Sequence, residues 1–511
     1  MTWEASERES SRSKRDFFNP SSFRVIPADT LEIPHFFPYT DDKNAKSGNM
    51  PFCMKASLKN ITFRSWLKGD VIHEGTGEMY MSEVILIKNG RVIDPASHRD
   101  EELDVLLRDG KVAKLAPSIE EEADQVIDAA GWYVVPGLID MHARLRDPGE
   151  LMKETLVTGT KAAAKGGYTS VVVMPNTRPV IDNTDRVEYI MNKAKDGSPI
   201  HVIQTGAVTL GQKGLELTDM QGMYEKGVRA FGDDGRSVMN AALAKAGMQE
   251  AARLGLPYLA HCEDADLAGN GCVNEDEISR KEGLPGISNA VEDTMIARDL
   301  ILAHEAGVHL HLAHCSTRGS YDLVKAAKER GWNVSAEVCP HHFTLTSADR
   351  KPYDTNFKMN PPLRTEADRQ ALLAGLRENV FDVISTDHAP HTADDKSLPM
   401  EKAAFGVVGL ETSLSIAMTE LVHKGVLNMY QLIEKMSANP ARIMHLEDRG
   451  SLAEGKLADV TLIDPNGEYV INSNRFVSRG KNTPFHGRKV KGRVMYTICE
   501  GKVVYKARIH H

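Results

Sequence analysis

The strongest constraint in this chain is an alternation between residues 137 and 435. Short apolar runs of strand character take turns there with longer, alanine-rich helical stretches. The runs are Gly137–His142, Thr169–Met174, His201–Thr205, Val228–Phe231, Pro257–His261, Val308–His314, Asn333–Val338 and Val383–Thr386. Between them lie helical segments such as Ala241–Leu254, Thr294–Ala306 and Asp322–Arg330. Eight strand–helix units over about 250–300 residues predict an α/β fold with a closed (β/α)8 barrel of TIM type. An open doubly wound sheet is the competing architecture, but no GxGxxG run supports dinucleotide binding.

The flanks differ in character. Glu83–Ile87, Leu103–Leu107 and Val112–Leu115 read as strands, with Asn89-Gly90 and Asp109-Gly110 as turns. Near the other end, Ala458–Asp464, Val494–Cys499 and Val503–Tyr505 read likewise, with Glu500-Gly501 turning. Asn-Gly and Asp-Gly between β-rich runs are strong hairpin signals. The two flanks are expected to join as one small β-sandwich domain, residues 81–136 with 436–511, around the barrel at 137–435. Residues 1–80 stand apart. They hold seven of the fourteen Phe, balance eleven acidic against eleven basic residues, and are cut by Pro20, Pro27, Pro34, Pro38 and Pro51. A poorly structured extension is expected there.

Composition excludes several classes. A formal charge of -9 disfavours a nucleic-acid partner, which needs a basic footprint. No apolar run is long enough for a membrane span. Six cysteines without a CxxC argue against a disulfide scaffold or zinc ribbon, and point to a reducing, cytoplasmic setting.

Barrel enzymes build their sites at the C-terminal ends of the strands. Asp140 and His142 end the first run, Asp233 and Asp234 follow the fourth, His261 ends the fifth, His314 the sixth, and Asp387 follows the eighth. Imidazoles and carboxylates converging on one face are natural ligands of a borderline divalent metal. Arg146, Asn176, Asn360, Arg364 and His391 add polar groups to the same rim. A guanidinium fork suits a substrate carboxylate, and Asn suits an amide or ureide. Gly406 and Gly409 are expected in a closing loop.

Taken together these motifs resemble the class I, bacterial-type dihydroorotases of the amidohydrolase superfamily. The likeness is carried by Pro136-Gly-Leu-Ile-Asp-Met-His142 through Arg146-Asp-Pro-Gly149, Met174-Pro-Asn-Thr177, Phe231-Gly-Asp-Asp-Gly235, His261-Cys-Glu-Asp264, His314-Cys-Ser-Thr317, Asn360-Pro-Pro-Leu-Arg364 and Thr386-Asp-His-Ala-Pro-His391. It spans about residues 82–506. The resemblance implies reversible conversion of N-carbamoyl-L-aspartate and L-dihydroorotate in pyrimidine synthesis, with two Zn2+. His142 and Asp387 would hold one zinc, and Asp234 would bridge to a second held by His261 and His314. Arg146, Asn176, Asn360 and His391 would grip the substrate, and Asp387 would shuttle the proton. The family also implies a homodimer; a pyrimidine-pathway transcarbamylase is the partner expected if the barrel serves structurally. Gly455-Lys456 with Asp459 resembles a family packing motif. Hydantoinases usually carry a carboxylated lysine where Asp234 stands, which separates this chain from them.

One residue departs from the family pattern. The expected His-x-His reads His142-Ala143-Arg144 here. Arginine has no lone pair for a metal and repels a dication. Arg144 is therefore expected to weaken or empty the first metal position and to pair with Asp387 or Asp234. Two other functions compete with dihydroorotase activity: a hydantoinase or dihydropyrimidinase acting on neutral rings, and a catalytically impaired barrel serving as a structural partner.

Overall fold

The computed structural model describes residues 83–508. The expected 1–80 extension lies outside the described residues.

The chain enters through a sheet. Strands β1 (Ile85–Asp94), β2 (Arg99–Arg108) and β3 (Lys111–Ala116) run antiparallel in sequence, and β4 (Gln125–Asp128) and β5 (Tyr133–Pro136) add to β1 in parallel. Asp109 and Gly110 turn the β2–β3 hairpin with φ of 53° and 70°, as a type I′ turn requires. Asn89-Gly90 does something else. β1 pairs with β2 on both sides of it, and the register slips between Ile87 and Gly90, so the pair forms a bulge and not a hairpin turn. Gly90 is needed there because a Cβ would sit 2.4 Å from Val134 Cγ2 on β5.

The barrel follows. Strands β6 (Leu138–Ala143), β7 (Tyr168–Val173) and β8 (His201–Gln204) are parallel neighbours. β9 (Tyr258–Ala260) begins the second half, and an insertion holds the short β10 (Val273–Asn274) and β11 (Gly286–Ile287). β12 (Leu310–Leu312), β13 (Val334–Val338) and β14 (Val383–Ile384) continue the parallel order from β9. The fourth expected strand, Val228–Phe231, is reduced to bridges from Phe231 to Gly206 and to Tyr258. At Gly232 the backbone comes so close to β9 that a Cβ would lie 2.2 Å from the Leu259 carbonyl oxygen. An Ala143–His388 bridge closes the ring. Every residue of β6 and β7 is buried, which is why these strands read as continuous apolar runs.

Helices on the outside start where the sequence supplies a cap. Thr155, Asn183, Asn240, Thr317 and Thr365 each accept a backbone N–H from the first turn of the helix that follows. The helix expected from Thr294 starts earlier, at Ala290, with Glu292 and Asp293 in its first turn where the helix dipole favours acids.

The chain then returns to the sheet. β15 (Val460–Val470) pairs with β5 and with β16 (Lys489–Cys499), and β16 pairs with β17 (Lys502–Lys506). Both flanks thus join in one eight-stranded sheet, the small β-domain beside the barrel. Ile85, Val105 and Val134 from the first flank share a core with Val460, Leu462 and Ile498 from the second. Helical turns between 413 and 443 fill the junction, packing on β1, β6 and β16. Among the described residues no helix is long and apolar enough to cross a membrane.

Candidate active site

Three strand-end residues adopt left-handed backbone angles that side-chain-bearing residues seldom take: Arg146 (φ 58°), His314 (φ 35°) and Asp387 (φ 46°). Such conformations cost on the order of 1–3 kcal/mol each and persist where the surroundings enforce them. Here they turn side chains away from the strand direction and over the barrel mouth.

The deepest layer is a histidine–carboxylate cluster. His142, Asp234 and His314 bring one ligand atom each within 4.8 Å of the others, and all three are buried. His142 Nε2 lies 2.9 Å from Asp234 Oδ1, yet it is buried without a hydrogen-bond partner. His261 Nδ1 faces His314 Nε2 at 2.7 Å, and its own Nε2 meets Glu263 at 3.0 Å. A void of about 10 Å³ touches His142, Asp234, His261 and Glu337, room for one small ion or water. An orphaned imidazole nitrogen, a carboxylate oxygen and facing ring nitrogens fit a borderline divalent cation such as zinc.

Glu337 was not anticipated from sequence. It sits inside β13, fully buried, and takes His142 Nδ1 at 2.7 Å, His311 Nε2 at 3.1 Å and the His314 backbone N–H at 3.1 Å. Against the cost of burial, His142 holds its carboxyl far below the usual range. It fixes His142 from behind and leaves Nε2 aimed at the cluster. The only signal in the sequence was a charged residue within an expected strand.

Arg144 lies immediately above. Its Nε and Nη2 donate to Asp234 at 2.8 and 3.1 Å, and its Nη1 donates to Asp387. The guanidinium therefore spans both carboxylates, not one. Against the cost of burial, Arg144 and then His142 pull the Asp234 carboxyl well below its ordinary value. Burial pushes Asp387 up, with Arg144 and His142 opposing.

Around this centre opens a cleft of about 610 Å³. Arg146, Asn176, Asn360 and His391 all line it, together with Asp387 and Arg144. Arg146 Nη2 meets His391 Nε2 at 3.2 Å, while Asn176 Nδ2 donates to Asp234 at 3.2 Å and Asn360 Nδ2 to Glu263 at 2.9 Å. Burial, then the neighbouring Arg144, lowers Arg146 to about 10. Burial, then Arg146, lowers His391 to about 3. Lys153, Arg178 and Arg236 add positive charge to the walls, a field that draws an anionic substrate.

Three expected rim groups work elsewhere. Asp140 accepts the backbone N–H and the hydroxyl of Thr386 at 2.8 and 2.7 Å, holding the strand before Asp387. Asp233 accepts the Val208 and Thr209 backbone N–H groups at 2.7 and 3.1 Å. Arg364 points away from the cleft, to Ser316, Asn274 and the Ile287 carbonyl. The expected closing loop is also tethered. Lys396, itself buried, donates to the carbonyls of Lys358, Ala404 and Gly406 at 3.1, 2.8 and 3.1 Å.

A parallel barrel with a histidine–carboxylate cation cluster at its mouth defines an amidohydrolase. Similarity to known proteins narrows this class. A family profile described as "Dihydro-orotase-like" matches residues 131–320. The dihydroorotase of Pelotomaculum thermopropionicum is 47% identical over 425 residues, 83% of this chain and 99% of its own length. That of Clostridioides difficile is 45% identical over 425 residues, 83% of this chain and all (100%) of its own. Among solved structures, the L-hydantoinase (dihydropyrimidinase) of Arthrobacter aurescens superposes with a TM-score of 0.75 at 26% identity, over 84% of this chain and 98% of that one. The chain belongs to the dihydroorotase family and is a cyclic amidohydrolase of that type.

Proposed function

We propose that the protein interconverts L-dihydroorotate and N-carbamoyl-L-aspartate in pyrimidine synthesis. The observation that carries this reading is the pairing of a cation cluster at His142, Asp234, His261 and His314 with a positively charged cleft at its mouth. Arg146 and His391 face a substrate carboxylate, while Asn176 and Asn360 stand where ring carbonyl and N–H groups need partners. A zinc held by the cluster would polarise the ring amide carbonyl and make water nucleophilic near neutral pH. Asp387 takes the proton of the attacking water and returns it to the leaving ring nitrogen; ring closure runs the same path backwards. A homodimer belongs to the same reading; association with a pathway transcarbamylase belongs to the structural-partner alternative.

Arg144 sets the expected strength of this activity. Its guanidinium stands at the second histidine position of the family's metal motif and holds both Asp234 and Asp387. We read the protein as a one-zinc enzyme of reduced rate, in which Arg144 takes the place of a second cation between the two carboxylates. A hydantoinase activity would act on neutral rings, for which Arg146 has no partner. The test is zinc content and dihydroorotate hydrolysis of the protein beside Arg144→His, with dihydrouracil as the neutral control. The expected result is one zinc at the barrel mouth, turnover of dihydroorotate alone, and a gain of one zinc and of rate in the variant. Equal zinc content and equal rates in both proteins would overturn the role of Arg144. Turnover of dihydrouracil alone would overturn the substrate, and no turnover by either protein would leave a structural partner.

A further inference from the structure

The opposite end of the barrel carries a second donor set that the reading above does not use. His201 opens β8, Asp459 immediately precedes β15, and Cys499 ends β16. One ligand atom of each lies within 4.8 Å of the other two. His201 Nε2 and Asp459 Oδ2 are 3.1 Å apart and both are buried; the imidazole nitrogen makes no hydrogen bond, and the Cys499 thiol is the other group that meets the Asp459 carboxylate. The distance suits a bond and the direction does not. Donors about 2.0–2.3 Å from a tetrahedral zinc stand roughly 3.3–3.8 Å apart, so this pair needs to open by only a few tenths of an ångström to share an ion. The orphaned nitrogen of His142 beside Asp234 shows the same signature at the mouth.

The surroundings favour a cation. His201 Nδ1 faces Glu500 Oε1 at 3.8 Å, on the side where a carboxylate steadies a ligating imidazole. Asp459 Oδ1 accepts the Glu500 backbone N–H at 2.9 Å, which fixes its carboxylate with Oδ2 towards the cluster. The nearby cation, Arg449, is committed to Asp448 at 2.8 and 3.0 Å and to Ser170 at 3.3 Å. Arg449 offsets part of the charge of Asp459, whose carboxylate is the buried anion of the pocket. The Cys499 thiol is buried against the Thr169 carbonyl. Burial, then Asp459 and Glu500, pushes its pKa up. The His201 side chain keeps 17% exposure, giving an ion an approach from solvent.

We infer that His201, Asp459 and Cys499 form a second binding site for a borderline divalent cation of the zinc type. Nitrogen, oxygen and sulfur donors suit zinc and exclude calcium or magnesium. As the sulfur–metal bond forms, the Cys499 proton leaves to solvent, and water completes the coordination. The ion joins the barrel, through β8, to the sheet, through β15 and β16. At the N-terminal ends of the barrel strands its role is stability, not turnover.

Cobalt(II) separates this site from the mouth. The mouth cluster offers only imidazole and carboxylate, so a thiolate-to-cobalt charge-transfer absorption reports a cysteine ligand. The metal-free full chain, titrated with Co2+, is expected to develop that absorption. Cys499→Ser should abolish it and bind one equivalent less. Cys339→Ser should keep it, although Cys339 also lies near imidazoles, those of His341 and His342. His201→Gln, at a half-buried position that tolerates change, should weaken the same absorption roughly tenfold or more in Co2+ concentration. It should also lose part of the metal-dependent rise in Tm while hydrolysing dihydroorotate at the unaltered rate. A wild type without the absorption overturns the proposal. So does an absorption that survives His201→Gln unchanged, or one that disappears with Cys339→Ser.

Discussion

Arg144 and Arg364 are both buried guanidinium groups beside the barrel mouth, 8% and 3% exposed, and their surroundings could hardly differ more. Arg364 divides its donors among the Ser316 hydroxyl, the Asn274 side chain and the Ile287 carbonyl, with Glu292 at 3.7 Å. Glu292 in turn accepts the Ser316 backbone N–H at 2.8 Å. Burial lowers the Arg364 pKa, with Glu292 offsetting part of the shift. Arg144 instead meets two carboxylates head-on, and they raise its pKa despite burial. The first arrangement is a clamp that ties the β10–β11 insertion to the wall. The second occupies groups with chemistry of their own to do. What an arginine does is set by what its partners would otherwise be free to do.

The sharpest way to break this contrast is Asp387→Asn. If Asp387 carries the proton despite the grip of Arg144, dihydroorotate hydrolysis should fall by roughly 10²–10⁴-fold with little change in folding. A rate within twofold of wild type would mean that Asp387 is idle, and that Arg144 is a clamp like Arg364. The complementary change is Arg364→Ala. It leaves Glu292 buried without its cation, which costs about 3–5 kcal/mol of stability. Urea unfolding should show that loss while the folded fraction keeps its zinc. A loss below about 1 kcal/mol would show that the neutral partners, not the charge, hold the insertion.

Glu337→Gln probes the support beneath the cluster. The amide keeps the volume but no longer holds His142 by charge, so zinc affinity should drop roughly 10–100-fold. Competition with a chelator measures it directly. Unchanged affinity would assign Glu337 to the packing of His311 alone.

Much of this was legible in the sequence. The alternation of buried parallel strands with capped helices identifies the barrel, because strands covered on both faces leave continuous apolar runs. The strand-end histidines and aspartates were legible for the same reason, since position along a barrel strand fixes which way a terminal residue faces. The fourth strand failed because its length depends on how close Gly232 comes to Leu259, a tertiary fact. Asn89-Gly90 failed because a bulge and a type I′ turn draw on the same residues, and only the pairing of β2 along all of β1 decides between them. Glu337 lies within a strand and so escaped a search of strand ends. Arg364 misled because two of its partners, Asn274 and Ile287, lie 90 and 77 positions earlier in an insertion with no motif.

The smallest expected effect separates charge from packing just behind Arg364. His342 is fully buried; its Nε2 donates to the Pro361 carbonyl at 2.8 Å and its Nδ1 has no partner. Burial, with a further push from the charge of Arg364, lowers its pKa from 6.5 to about 4, against the opposing Pro361 bond. Between these values the unfolded chain binds a proton that the folded chain refuses. Stability from this group is therefore complete above pH 6.5, declines as the pH falls, and declines no further below about 4. The slope is at most about 1.4 kcal/mol per pH unit for one proton. His342→Gln retains a donor for Pro361 and does not titrate. Its urea-unfolding free energy should fall less steeply than that of wild type across this window, by close to one proton, and run parallel to it above pH 7. If Arg364 acts on His342 through its charge, Arg364→Ala should move the lower end of this acid limb to higher pH and shrink the total loss, while the upper end stays at 6.5. An unmoved limb would mean that Glu292 already masks the guanidinium, and that burial alone keeps His342 neutral.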